Sequence, residues 1–304
     1  MEVKDNEEGR RKKPPSYKSD ARLMESPAER LIYWINERLK IQKAKKNGLP
    51  YPWTTDPILR EFKFCNVMRE EDRVTKWIAE NWRDPHYKSP DMWFAMGVAR
   101  LINWPPTLAA IGWPMPWRPN RNRRKMNARR EAKEQVFTGA YMITNAGQTL
   151  SKVDTVLLML SNLNKLEDPP VKGDSLGQAH AKLMEGKLCG MGSFMAAQVI
   201  ADCKYASILE TADDWWDWCA PGPGSQRGLS RLLGIEFRRF RQDDFIEKLA
   251  QLRKEIKREI GVGLHLQDLQ NCLCEFDKFE RTLWGEGRPR SRYKPNDPQR
   301  QLEF

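Results

Sequence analysis

Apolar residues recur at three- and four-residue intervals along most of the chain, and the two-residue alternation of half-buried strands is scarce. Ser26-Pro27 reads as an N-cap followed by a first-turn proline, opening a helix with Leu31, Ile35 and Leu39 on one face. The spacing predicts a further helix around 66–82, and Ser89-Pro90-Asp91 repeats the start signal before one over 91–103. The prolines of 47–57 mark a loop, and those of 104–119 mark a rigid aromatic connection. Three more amphipathic helices follow from Leu150/Val153/Leu157/Leu160, Phe245/Leu249/Leu252/Ile256 and Leu269/Leu273/Phe276. The pattern predicts an all-α protein without internal repeats. Residues 1–20 read as a charged, disordered tail, 21–284 as one helical domain, and 285–304 as a basic extended tail.

A hydrophobic fraction of 40% with 12 Trp supplies ample core for 304 residues. The net charge of +11 favours a polyanionic partner, and its distribution is more informative than its size. Arg118, Arg121, Arg123, Arg124, Lys125, Arg129, Arg130 and Lys133 form one basic stretch opposed within it only by Glu131. Such a stretch contacts DNA phosphates or is simply a solvated face. No run approaches the length of a membrane span, and no secretory signal opens the chain. The six cysteines lack paired C-x-x-C spacing and read as reduced thiols of a cytoplasmic protein. With 3 His no metal site is expected, nor is any cofactor. No P-loop signature is present, which argues against a P-loop kinase activity.

The segment Leu188–Ala197 joins Gly190 and Gly192 to a helix of small and apolar residues starting at Ser193. Glycines there permit a tight turn and a close approach of backbone, and the N–H groups of the next helix can take a DNA phosphate. The segment resembles the helix-hairpin-helix of DNA glycosylases, with Cys189 in place of the usual proline and Met195 near the usual Ser/Thr. In that superfamily an essential Asp follows the hairpin by about twenty residues. Asp213 and Asp214 stand at that distance, where they serve as a general base or merely open a helix.

Other constellations carry possible chemistry. Asn66, Arg69, Arg73 and Lys76 fall on one helical stripe, suited to phosphate or to intrahelical ion pairs. Pro221–Gly228 is a stiff loop with Ser225 and Arg227, a candidate anion nest. Asp268, Asn271 or Cys272, and Glu275 share a face, able to bind an amine or to join two lobes. Cys65 is a thiol nucleophile or a core residue. Trp215, Trp216, Trp218, Trp53 and Trp113 stack on an extruded base or fill the core.

Three segments (FCNVMREEDRVTKW, GPGSQRGLSRLLG and LCEFDKFERTLWGEGRPR) are similar to the phage α-glutamyl/putrescinyl thymidine pyrophosphorylases, or amino acid:DNA transferases. That family is related to the helical domain of 5-hydroxymethyluracil DNA kinases. The resemblance covers roughly 49–293 and implies a two-lobed, helix-hairpin-helix DNA-glycosylase-like fold. It implies transfer of an amino acid, glycine among them, or a polyamine onto 5-phosphomethyluracil in DNA, with a separate pathway kinase making the substrate. On this reading Asp214, Asp213 and Glu275 handle the incoming amine. Arg69, Arg73, Arg227, Ser225 and Asn66 hold the phosphate. Gly190, Gly192, Ser193, Arg123, Arg124 and Lys125 hold the DNA. The rivals are a glycosylase that excises a modified base and a non-catalytic DNA-binding partner of the kinase.

Overall fold

The computed structural model describes residues 17–139, 149–185, 190–287, 289 and 291–293. Local signals set the helix starts. Ser26 Oγ accepts the Glu29 N–H at 3.1 Å and opens α1 (Pro27–Lys46). Asp56 accepts from Ile58 and Leu59 and opens the short α2 (Pro57–Glu61). Then come α3 (Arg73–Ile78), α4 (Met92–Ile102), α5 (Pro105–Ile111) and the basic α6 (Pro119–Glu131). The chain continues through α7 (Lys152–Leu163), α8 (Leu176–Glu185) and α9 (Ser193–Cys203). It closes with α10 (Pro223–Leu232), α11 (Gln242–Ile260) and α12 (Leu266–Leu283). The fold is all-α. Among the described residues β-structure is limited to an isolated bridge between Phe62 and Arg292.

The core divides into two apolar clusters. One is built from the middle of the chain, from Trp77 to Ala220, around α4, α7 and α9. The other joins α1 and α2 to α10–α12, with Trp34, Phe245, Phe276 and Phe279 at its centre. Ile246 packs against both.

Several expectations need correction. Pro105–Ile111, within the connection read over 104–119, is α5, and most of the loop read over 221–228 is the start of α10. The helix around 66–82 is broken: Arg69–Glu71 is a 3₁₀ turn, α3 begins at Arg73, and a π-helical turn covers Ala79–Arg83. Asp72 explains the break, because its carboxylate accepts the Asn66 N–H at 3.1 Å and ties the segment into a turn. The polar stripe from Asn66 to Lys76 is therefore not one helical face. Tyr17 and Ser19, assigned to the tail, pack against the domain. Ser19 is buried with its hydroxyl on Asp56, and the Tyr17 hydroxyl donates to Glu61. Part of the C-terminal segment also returns to the domain, where Tyr293 N donates to Glu61 O and the Tyr293 ring stacks on Tyr51.

The Gly-Pro segment has a packing role. Ser225 is fully buried, its hydroxyl exchanging hydrogen bonds with Gly222 and accepting from Gln270. A Cβ on Gly224 would meet Cys274, and one on Gly228 would run into the carbonyl of Leu273. These glycines let α10 lie directly on α12, a contact that larger residues would hold apart. In an open helix Gly→Ala stabilises by about 1 kcal/mol. Gly228→Ala is expected to reverse that sign and cost about 1–3 kcal/mol through overpacking. Urea denaturation decides it, and a stabilised variant would show that α10 and α12 can separate at no cost.

Candidate functional site

Helix α9 connects two polar regions. At its N-terminal end Gly190 adopts φ +85°, a conformation that favours glycine, and the end of the Met159 side chain lies where a Cβ would be. Among the described residues nothing crowds Gly192, which precedes the helix, and no side chain caps the first turn. His180 Nε2 donates to the Ser193 carbonyl at 3.1 Å and braces this end against α8. Leu188 and Cys189 lie outside the described residues.

The other end carries Asp202, 1% exposed, whose carboxylate receives Arg100 through both of its oxygens and Arg69 Nη2 at 3.1 Å. Burial opposes its ionisation, but Arg100 and Arg69 outweigh that and hold it below the usual carboxylate range. Arg69 also donates to the side chain and carbonyl of Gln198, and its backbone N–H goes to Asp268. The Glu70 carboxylate pairs with Arg83 at 2.7 Å. Arg69 Nε and Glu70 Oε1 are buried without a hydrogen-bond partner.

Beside them lies Lys204, 1% exposed. Its ammonium donates to Trp215 O at 3.0 Å, while Trp215 Nε1 donates back to Lys204 O at 2.7 Å. The charge sits 4.1 Å from the Trp215 ring centroid, a desolvated cation–π contact. Burial brings its pKa down to about 8, against the opposing pull of Asp268, Glu70 and Asp214. Tyr205, Trp215, Trp216 and His265 surround this point in edge-on and tilted contacts, and His265 pairs with Asp268 at 2.9 Å. The arrangement encloses a buried cation within an aromatic cluster. No group of three or more His, Cys, Asp or Glu suited to a metal occurs among the described residues.

The residues singled out from sequence divide accordingly. Arg69 and Asp214 reach this cluster. Asp214 accepts the N–H groups of Leu176 at 2.6 Å and Gly177 at 2.9 Å, so both its oxygens cap α8. The acids lie in a turn and do not open a helix of their own, and Asp213 is exposed. Glu275 is buried on α12, bound to Cys65 N and Lys278, about two turns beyond Asp268. Asn66 is consumed by its own turn, donating to Glu71 O. Arg73 is exposed at the start of α3. Arg227 lies elsewhere, paired with the fully buried Asp277 beside Arg231 and Arg281. On α6, Arg124 is exposed and Arg123 pairs with Asp154, whereas Lys125 donates to the C-terminal carbonyls of α5. That capping role replaces the DNA contact read for Lys125. Cys65 is held as a neutral thiol, since burial and the adjacent Glu275 push its pKa well up. It is therefore no thiolate nucleophile at neutral pH.

Sequence reasoning missed Lys204, Asp202, Arg100 and His265. A Lys just past a helix ordinarily faces solvent and favours the dipole, so nothing in the local pattern marks Lys204 as buried.

An all-helical domain with a cation-rich polar site beside an aromatic cluster is the class that fold and site define. Residues 26–288 match the family described as the helical domain of 5-hmdU DNA kinase, and the chain belongs to that family. It is 25% identical to a 5-hmdU DNA kinase of Bacillus phage SP10 over 286 residues, covering 82% of this chain and 44% of that protein. The chain thus spans less than half the length of this curated relative. No solved structure matches it.

Lys204 generates a stability prediction. Its folded pKa lies near 8 and its ordinary value is 10.5, so between these the unfolded chain binds more protons. This group therefore penalises the fold below pH 8, and the penalty is relieved as pH rises to 10.5. Lys204→Met removes that dependence. In paired urea denaturations, the stability of the native chain relative to Lys204→Met is expected to rise over this interval. A flat difference would place the ammonium in contact with water.

Proposed function

We propose that the chain transfers an amino acid or polyamine onto 5-phosphomethyl-deoxyuridine in DNA, as a step in thymidine hypermodification. The carrying observation is the convergence of Arg69 and Lys204, beside Trp215, on the cluster that Asp214 reaches. Membership of a family named for 5-hmdU DNA kinase supports a modified thymine in DNA as the target. On this reading the two clusters correspond to the two lobes of a helix-hairpin-helix DNA-glycosylase-like fold. Gly190, Gly192 and Ser193 hold a phosphate at one end of α9, whose 11 residues span roughly 16 Å at about 1.5 Å per residue. The target base leaves the stack and enters at the other end.

The amine nitrogen forms a bond to the C5 methylene, and the carbon–oxygen bond to the phosphate breaks. The phosphate departs with that electron pair, its charge favoured by the field of the buried Arg69 and Lys204 behind the site. The ammonium proton passes to a carboxylate. Asp213 takes this role more readily than Asp214, whose oxygens already serve α8. Direct displacement needs no thiolate, in keeping with the neutral Cys65. Glu275, Arg73, Arg227, Ser225 and Asn66 act indirectly, by shaping the lobe behind the site. A pathway kinase supplies the phosphorylated base.

The test is mass spectrometry of nucleosides after incubating 5-phosphomethyluracil DNA with a panel of amino acids and polyamines. An amino-adduct on an intact deoxynucleoside is expected. Free base or abasic sites would assign the chain to excision, and unchanged DNA would leave it a binding module. Asp213→Asn is expected to lower adduct formation by on the order of 100-fold, the scale of a general base, with stability unchanged. Asp214→Asn is expected to cost about 1 kcal/mol as a lost cap.

The exposed Arg118, Arg121 and Arg124 are proposed to follow the DNA backbone. Replacing Arg121 and Arg124 by Ala is expected to weaken binding alike for all sequences and reduce the salt slope by about 2. An unchanged slope in a filter-binding titration would remove α6 from the interface.

A further inference from the structure

Trp216 is a second feature of the aromatic cluster, and the chemistry above makes no use of it. Its side chain is 50% exposed, unusual for an indole with this many neighbours. Yet it is rigidly mounted. Its carbonyl accepts from Leu266 N at 3.0 Å and Arg253 Nη1 at 2.9 Å, while Trp215 and His265 brace the ring from behind. Arg253 is itself fixed by Asp217.

The ring forms one wall of a cavity of about 250 Å³. Ile260, Val262 and Leu264 give it an apolar floor, and Lys254 and Lys257, one helical turn apart on α11, stand at its rim. Both lysines are exposed, and among the described residues no acidic side chain lines the cavity. A preorganised aromatic face over an apolar floor selects a planar ring, and the lysines select an anion attached to it. A nucleotide combines the two. The cavity is contiguous with the Trp215 cluster through Trp216, which favours a nucleotide still joined to a DNA strand over a free one.

We infer that the Trp216 cavity receives an unpaired nucleotide of a DNA strand, its base stacked on Trp216 and its phosphates on Lys254 and Lys257. Stacking of this kind tolerates any base and is worth about 1–3 kcal/mol by alanine substitution, or roughly 5- to 150-fold in affinity. The inference rests on the proposed function only in taking DNA as the ligand.

Photocrosslinking tests it with the full chain and a single-stranded oligonucleotide carrying 5-iododeoxyuridine in place of thymidine. The strand carries no phosphomethyl group, so its result is independent of transfer. Expected is a crosslink mapped by peptide sequencing to Trp216. It should be lost in the double variant Lys254→Glu/Lys257→Glu, whose exposed positions leave the fold intact by circular dichroism. Trp216→Ala should reduce affinity for the strand by at least 5-fold. Unlabelled strand should compete and free dTMP at equal nucleotide concentration should not.

Crosslinks confined to other residues, or a double variant that crosslinks normally, would overturn the assignment. Equal competition by dTMP would overturn the choice of a strand over a free nucleotide. Adduct formation without the Trp216 crosslink would sink this inference and leave the transfer reading standing. The converse result would do the reverse.

Discussion

The fully buried carboxylate of Asp202 is the constraint around which the rest is arranged. Removing such a charge from water costs several kcal/mol, and only well-placed guanidiniums offset it. Arg100 comes from α4, and Arg69 comes from the turn that leads out of the α1–α2 cluster. One carboxylate therefore fixes how the middle of the chain meets its ends. Arg69 can satisfy Asp202 only by entering the junction, which carries Glu70, Arg83 and Lys204 with it into low dielectric. The polar site is a consequence of that junction.

The helical architecture was legible because it rests on local physics. The Ser26-Pro27 start, the faces of α7, α11 and α12, and the basic character of α6 all follow from spacing and composition within one segment. What failed was local pattern carrying non-local meaning. Asn66 to Lys76 has helical spacing, but Asp72 folds the segment into a turn. Gly222–Gly228 has the composition of an anion loop, but its glycines answer to the surface of α12. Lys204 has the signature of an exposed helix end and is buried because Trp215 and Tyr205 close over it.

The positive charge of the chain is likewise divided in a way that counting cannot reveal. Arg100, Arg69 and Arg83 serve internal carboxylates, Lys125 closes α5, and Arg227, Arg231 and Arg281 converge on Asp277. The exposed cations left for partners include Arg118 at the start of α6, Arg121 and Arg124 on it, and Lys254 and Lys257 on α11.

The division of the core also sets an order of assembly. The cluster from Trp77 to Ala220 is contiguous in sequence and can close once that stretch has left the ribosome. Its counterpart cannot, because Leu31 and Trp34 must wait for Phe276 and Phe279, some 240 residues later. Closing so long a loop slows folding. During synthesis α1 therefore waits with its apolar face uncovered, and the late-forming half, which contributes Asp268 and His265, is the last part of the site to be completed.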